Sequence, residues 1–66
     1  MNVLTKREKE IFDLLVNNYS TKDIAIYFKL SEKTIRNHIS NVIQKLGVKT
    51  RSQALIELIR LNNIKI

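Results

Sequence analysis

The chain has 66 residues, with 12 Lys and Arg against 6 Asp and Glu, no Cys, no Pro and one Gly. A disulfide framework and a cysteine zinc site are excluded, long irregular loops are disfavoured, and one all-α domain over residues 1–66 is expected. The formal net charge of +6 points to a polyanionic partner.

The charge is unevenly placed. Glu8, Glu10 and Asp13 lie near the N-terminus, whereas Lys33 to Ile56 holds five cations (Lys33, Arg36, Lys45, Lys49, Arg51) and no acid. A basic field on one half of a small domain is the footprint of nucleic acid, although a merely basic surface would share it. No apolar run approaches the ~20 residues of a membrane span. Lys6, Arg7 and Lys9 precede the first apolar run, unlike a signal peptide. A cytoplasmic protein without membrane partner is expected. A domain this small buries only ~60% of its unfolded surface and gains from a second subunit.

Thr5 and Glu8 fit a capping box, opening a first helix with the apolar stripe Ile11, Phe12, Leu14, Leu15 and Val16. Asn17-Asn18 suits its end, because Asn tolerates the left-handed backbone of a helix C-terminus. Ser20 is the next N-cap, with Asp23 in the first turn where the helix dipole favours it. Ile24, Ala25 and Phe28 supply the buried side of this second helix, and the small Ala25 fits a close helix crossing. Phe28 to Ser31 forms a tight turn with Leu30 as its apolar plug. The glycine often found in such turns is missing.

Ser31 caps a third helix, and Glu32 complements its dipole. Ile35, Ile39, Val42, Ile43 and Leu46 form one stripe. The opposite face carries Lys33, Asn37, Ser40, Asn41 and Gln44, with Arg36 on its flank. Arg, Asn and Ser are the side chains that bond base edges and phosphates. A solvated helix face has the same composition, but a helix-turn-helix places its second helix in the DNA major groove. The preceding helix-turn and the acid-free stretch favour that reading.

Gly47 ends the third helix, and Val48 returns to the core. Thr50 and Gln53 suggest another capping box for a last helix running to about Asn62, with Ala54, Leu55, Leu58 and Leu61 on its core face. Ser52, Ile56, Ile59 and Asn63 recur on another side, which we expect to be a dimer interface. The stretch Ile64-Lys65-Ile66 has no assigned role.

These residues resemble the LuxR/GerE-type DNA-binding domain from Leu4 to Leu61. The matching runs are Leu4-Thr5-Lys6-Arg7-Glu8-Lys9-Glu10-Ile11, Ser20-Thr21-Lys22-Asp23-Ile24-Ala25, Leu30-Ser31-Glu32-Lys33-Thr34-Ile35-Arg36-Asn37-His38-Ile39, Lys45-Leu46-Gly47-Val48 and Arg51-Ser52-Gln53-Ala54. Asn18 departs from the family's usual Gly, and Thr21 from its frequent Asn. The resemblance implies a four-helix helix-turn-helix domain and a homodimer through its last helix. Met1 stands five residues before the first helix, which suggests a stand-alone late-sporulation member of the family rather than one with a receiver or sensor attached. Such a member would activate some late mother-cell promoters, including spore-coat genes, and repress others, with RNA polymerase as a further partner and the nucleoid as its place. The excised DNA-binding domain of a two-component or quorum-sensing regulator would read alike.

The resemblance puts Arg36, Asn37 and Ser40 at bases. Helix geometry agrees for Asn37 and Ser40, while Arg36 fits a base or a phosphate, and Lys33 reaches either. Lys22, Ser31, Thr34, Asn41, Lys45 and Lys49 are candidate phosphate contacts, with helix N-termini adding backbone N–H groups. Arg51 is expected to pair with Glu8 or Glu10. His38, the single His, fits the edge of the core, with no second His or Cys to complete a metal site. Glu8, Glu10 and Asp13 read as a solvated face. No nucleophile with its base, phosphate-cradling glycine loop or aromatic platform is recognisable, so no enzyme, cofactor or small-molecule ligand is expected. Two other classes compete: the promoter-binding region of a sigma factor, which usually ends soon after its recognition helix, and a basic helical module that meets an acidic protein.

Overall fold

The computed structural model describes residues 4–61, in which four helices and no strand are found. They are α1 (Lys6–Val16), α2 (Thr21–Phe28), α3 (Glu32–Leu46) and α4 (Arg51–Arg60). α3 packs on each of the other three, and α1 also meets α2. One side of α3, Ile35, Ile39 and Val42, is therefore sealed by Leu4, Ile11, Phe12 and Leu15, by Ile24 and Ala25, and by Ala54 and Leu58. Phe12, Ile11, Ile24, Ile35, Leu58 and Val42 are fully buried, and each large apolar side chain so buried contributes roughly 1.5–3 kcal/mol.

Local chemistry sets the helix starts. Thr5 Oγ1 accepts the Glu8 N–H, while Glu8 Oε1 accepts the Thr5 N–H at 2.9 Å. Ser20 and Asp23 repeat this reciprocal box in α2. Ser31 caps α3 by accepting the Thr34 N–H at 3.1 Å. The fourth cap differs from the expected box. Thr50 accepts the Gln53 N–H, but Gln53 Oε1 takes the Lys49 N–H at 2.9 Å. The amide thus ties down the preceding loop instead of the cap residue.

Three left-handed residues close the helices and turn the chain. Asn18, at φ 75°, lets the Tyr19 N–H donate to the Leu14 carbonyl at 3.1 Å. Lys29, at φ 58°, lets the Leu30 N–H reach the Ala25 carbonyl at 2.9 Å. Gly47, at φ 69°, lets the Val48 N–H reach the Ile43 carbonyl. Each pairs an orphan carbonyl of the last helical turn. The turn between α2 and α3 therefore uses the glycine-type conformation without a glycine.

Two expectations about the core change. Leu30 is 38% exposed and does not plug the turn. Phe28, the last residue of α2, is half-buried against the core instead, with the Arg7 guanidinium 4.2 Å above its ring and Tyr27 edge-on at 4.9 Å. Leu61 is likewise exposed and closes α4 as its C-cap, so the core face of that helix rests on Ala54 and Leu58, with Leu55 and Ile59 half-buried beside them. The expected extension of α4 to Asn62, the dimer residue Asn63 and the 64–66 stretch lie outside the described residues.

Candidate nucleic-acid interface

Burying Ile35, Ile39 and Val42 decides what α3 shows to solvent. At about 100° per residue, the opposite side carries Lys33, Arg36, Asn37, Ser40, Asn41 and Gln44, and all six are exposed. The side chains of Lys33, Asn37, Ser40 and Asn41 make no hydrogen bond or ion pair among the described residues. Their donors and acceptors are left for a ligand. A 15-residue α-helix is about 22 Å long, so this polar strip can follow a major groove through several base pairs.

Arg36 differs from those four. Its Nη1 lies 3.7 Å from Glu32 Oε1, one turn back on the same helix, and both side chains are well exposed. Sequence reasoning saw Glu32 only as a partner of the helix dipole.

The expected phosphate contacts divide into two groups. Lys22 in the first turn of α2, Lys49 in the loop before α4 and Asn41 on α3 are exposed, and their side chains have no partner among the described residues. Ser31 and Thr34 hold one another, with 2.9 Å between their hydroxyl oxygens, at the N-terminus of α3. That N-terminus and the α2 N-terminus at Ser20 both present backbone N–H groups of the kind that bind phosphate.

Lys45 is the exception. Its Nζ donates to Glu8 Oε1 at 2.6 Å, across 37 residues of sequence. Glu8 is only 3% exposed. It is no solvated surface acid, as the sequence suggested, but a buried carboxylate bound by both Lys45 and the Thr5 N–H. Burial works to raise its pKa, but the hydrogen bonds from Lys45 and Thr5 and the Lys45 charge outweigh that, and the net shift is downward. Lys45 thus holds the place expected for Arg51. Arg51 is exposed and forms no ion pair among the described residues, and Glu10 pairs with Arg7 at 3.6 Å. The reason is packing: the last turn of α3, not the start of α4, lies over the first turn of α1.

His38 is half-buried. Among the described residues, no group of His, Cys, Asp and Glu side chains is arranged to hold a metal, and no helix is long and apolar enough to cross a membrane. On α4, Ser52 and Ile56 are exposed, Ile56 to 66%, whereas Ile59 is half-buried against the core. The expected dimer stripe is therefore split, with Ile59 already partly used by its own domain. Ile26 and Tyr27 on α2 are a second exposed apolar pair that sequence reasoning passed over.

Residues 2–58 match the bacterial regulatory proteins of the luxR family. The chain is 58% identical over 64 residues to the spore germination protein GerE of Bacillus subtilis (strain 168), covering 97% of this chain and 86% of that protein. It is 39% identical over its whole length to the transcriptional regulatory protein DegU of Brevibacillus brevis, but spans only 28% of it. Among solved structures, that of the transcription factor GerE superposes with a TM-score of 0.93 at 65% identity, covering 98% of this chain and 97% of that one.

Proposed function

The chain belongs to the luxR family of bacterial regulatory proteins and is a DNA-binding transcriptional regulator, and from that premise we propose that it reads operators of late-sporulation genes as a homodimer. The exposed polar strip of α3, on which Lys33, Asn37, Ser40 and Asn41 have no partner among the described residues, is backed by a helix side sealed into the core and carries the reading. On it Lys33, Arg36, Asn37 and Ser40 meet base edges, while Lys22, Ser31, Thr34, Asn41 and Lys49 hold phosphates. Lys45 serves chiefly to fix α3 on α1 through Glu8.

The deciding experiment selects duplexes from a random library with the purified protein and then measures affinity by fluorescence anisotropy. Asn37→Ala is expected to cost about 1–3 kcal/mol on the selected duplex and little on random DNA. Equal losses on both would move Asn37 to the phosphate class, and a protein that selects no sequence would sink the operator reading.

The sporulation role rests on likeness to a protein named for spore germination. In that role the protein activates some late mother-cell promoters, spore-coat genes among them, through RNA polymerase, and represses others. It works in the cytoplasm on the nucleoid, as one domain over residues 1–66. Loss of coat-gene transcripts from a deletion strain tests this, and an unchanged late transcript profile refutes it.

The homodimer forms through Ser52, Ile56 and Ile59 of α4 together with Asn63. The exposure of Ile56 supports this, because an isoleucine so placed on a small charged domain gains by burial against a second copy. A two-fold axis there also sets two recognition helices for half-sites about one DNA turn apart. Ile56→Lys is expected to give monomers of unchanged helicity in sedimentation, with affinity for a two-half-site duplex falling toward that for one. Intact dimers would place the interface elsewhere.

A further inference from the structure

The 15 residues of α3 contain a single acid, Glu32, at the end that enters the groove first. A carboxylate beside DNA phosphates weakens binding, so its placement on a DNA-reading helix needs a return. Favourable interaction with the helix dipole is one return, and it would be met by the charge alone. Capping is not another, because Ser31 already accepts the Thr34 N–H. What Glu32 does meet is Arg36, with Oε1 to Nη1 at 3.7 Å. The pair is spaced i to i+4 with the acid on the N-terminal side, the orientation in which such pairs attract best.

Arg36 sits on the flank of the polar strip, where a long flexible guanidinium can swing outward to the DNA backbone or inward to a base. Glu32 lies one turn toward the N-terminus, the end at which recognition helices reach base edges. A carboxylate there draws the guanidinium along the helix toward the bases. It also offsets the charge that would otherwise attract any phosphate. Resting on the DNA-reading role of α3, we propose that Glu32 is a positioning residue that commits Arg36 to a base edge, guanine by its chemistry, and keeps it off the phosphates. Glu32 thereby lowers affinity for all DNA while raising the preference for the right sequence.

The test uses the full chain, the duplex it selects from a random library, single-base variants of that duplex and a random duplex. Affinities are taken from 50 to 200 mM salt. Glu32→Gln keeps size and helix position and removes the charge. The expected result is a several-fold gain on random DNA, a salt slope steeper by about one unit, and roughly tenfold less discrimination at the base pair that Arg36 governs. Arg36→Ala identifies that base pair. In the Arg36→Ala background, Glu32→Gln should leave discrimination unchanged. Circular dichroism of each variant should match the parent, since both side chains are exposed.

Three results overturn the proposal. If Glu32→Gln raises affinity for every duplex by one factor and preserves base preference, Glu32 is only a like charge near phosphate. If it alters preference equally without Arg36, Glu32 touches a base itself. Were Arg36→Ala to leave preference intact while Asn37→Ala abolished it, the assignment of Arg36 would fail with the DNA reading still standing. A chain that prefers no duplex at all would remove that reading instead.

Discussion

α3 has an ion pair at each end, and the two have little in common. At the C-terminal end, Lys45 meets a carboxylate that is almost wholly buried, at 2.6 Å, on another helix 37 residues away. At the N-terminal end, Glu32 and Arg36 stand 3.7 Å apart on the same helix, in water. The first pair carries a desolvation cost that its hydrogen bonds and the Lys45 charge offset, so removing one member strands the other. The second is exposed and worth only a few tenths of a kcal/mol to folding. One end of the helix is anchored in the fold, while the pair at the other end adds little to stability and leaves its charges for the DNA contact.

The largest way to break this contrast is Lys45→Met. It leaves the Glu8 carboxylate buried without its cation. The expected loss is about 2 kcal/mol in urea unfolding, below the ~3–5 kcal/mol of fully buried pairs because Lys45 keeps part of its hydration. Glu32→Gln should move the same midpoint by less than about 0.5 kcal/mol. Equal effects would erase the distinction between the two ends.

Acid sharpens it further. The folded-state pKa of Glu8 lies below its usual 4.5, so the stability this carboxylate contributes is complete above that value. It is lost as pH falls below 4.5 and through the folded pKa, where the carboxyl takes up a proton. A Glu8→Gln protein should therefore start less stable at pH 7 and lose less between pH 5 and pH 3. Parallel stability curves for the two proteins would mean that Glu8 gains nothing from its partners. The smallest effect lies at the turn leading into α3. Lys29→Gly relieves a left-handed lysine at some cost in backbone entropy, and a net gain of about 0.5 kcal/mol is expected in thermal unfolding. A loss would show that the Lys29 side chain contributes more than its backbone costs.

The same contrast explains what the sequence disclosed. The Thr5 and Glu8 box and the Ser20 cap were legible because capping is settled within four residues, although Asp23 was read for its charge and not as the other half of a box. The stripe Ile35, Ile39, Val42 and its polar opposite were legible because helical periodicity sorts them. The partner of Glu8 was not, because the choice between Lys45 and Arg51 depends on which part of the chain lies over α1. Gln53 fits a capping box by spacing alone, but the Lys49 N–H competes for the same oxygen. The missing glycine did not prevent the turn, for a related reason. The closing hydrogen bonds and the packing of Phe28 hold Lys29 in a conformation that its residue type disfavours. Leu30 and Leu61 were assigned to the core on hydrophobicity, which says nothing about which side of a short turn or a last helical turn is covered.

α3 is at once the centre of the core and the proposed reading surface, yet the two duties fall on different side chains. Ile35, Ile39 and Val42 are buried in the core, while the exposed Lys33, Asn37 and Ser40 are the residues proposed for the second. Replacing the latter three alters no buried contact. A lineage that copies this domain can thus acquire new operators by substitutions that leave folding intact, and selection for targets proceeds almost independently of selection for stability. For an engineer, that separation marks Lys33, Asn37 and Ser40 as positions to randomise together in a library whose members should nearly all fold.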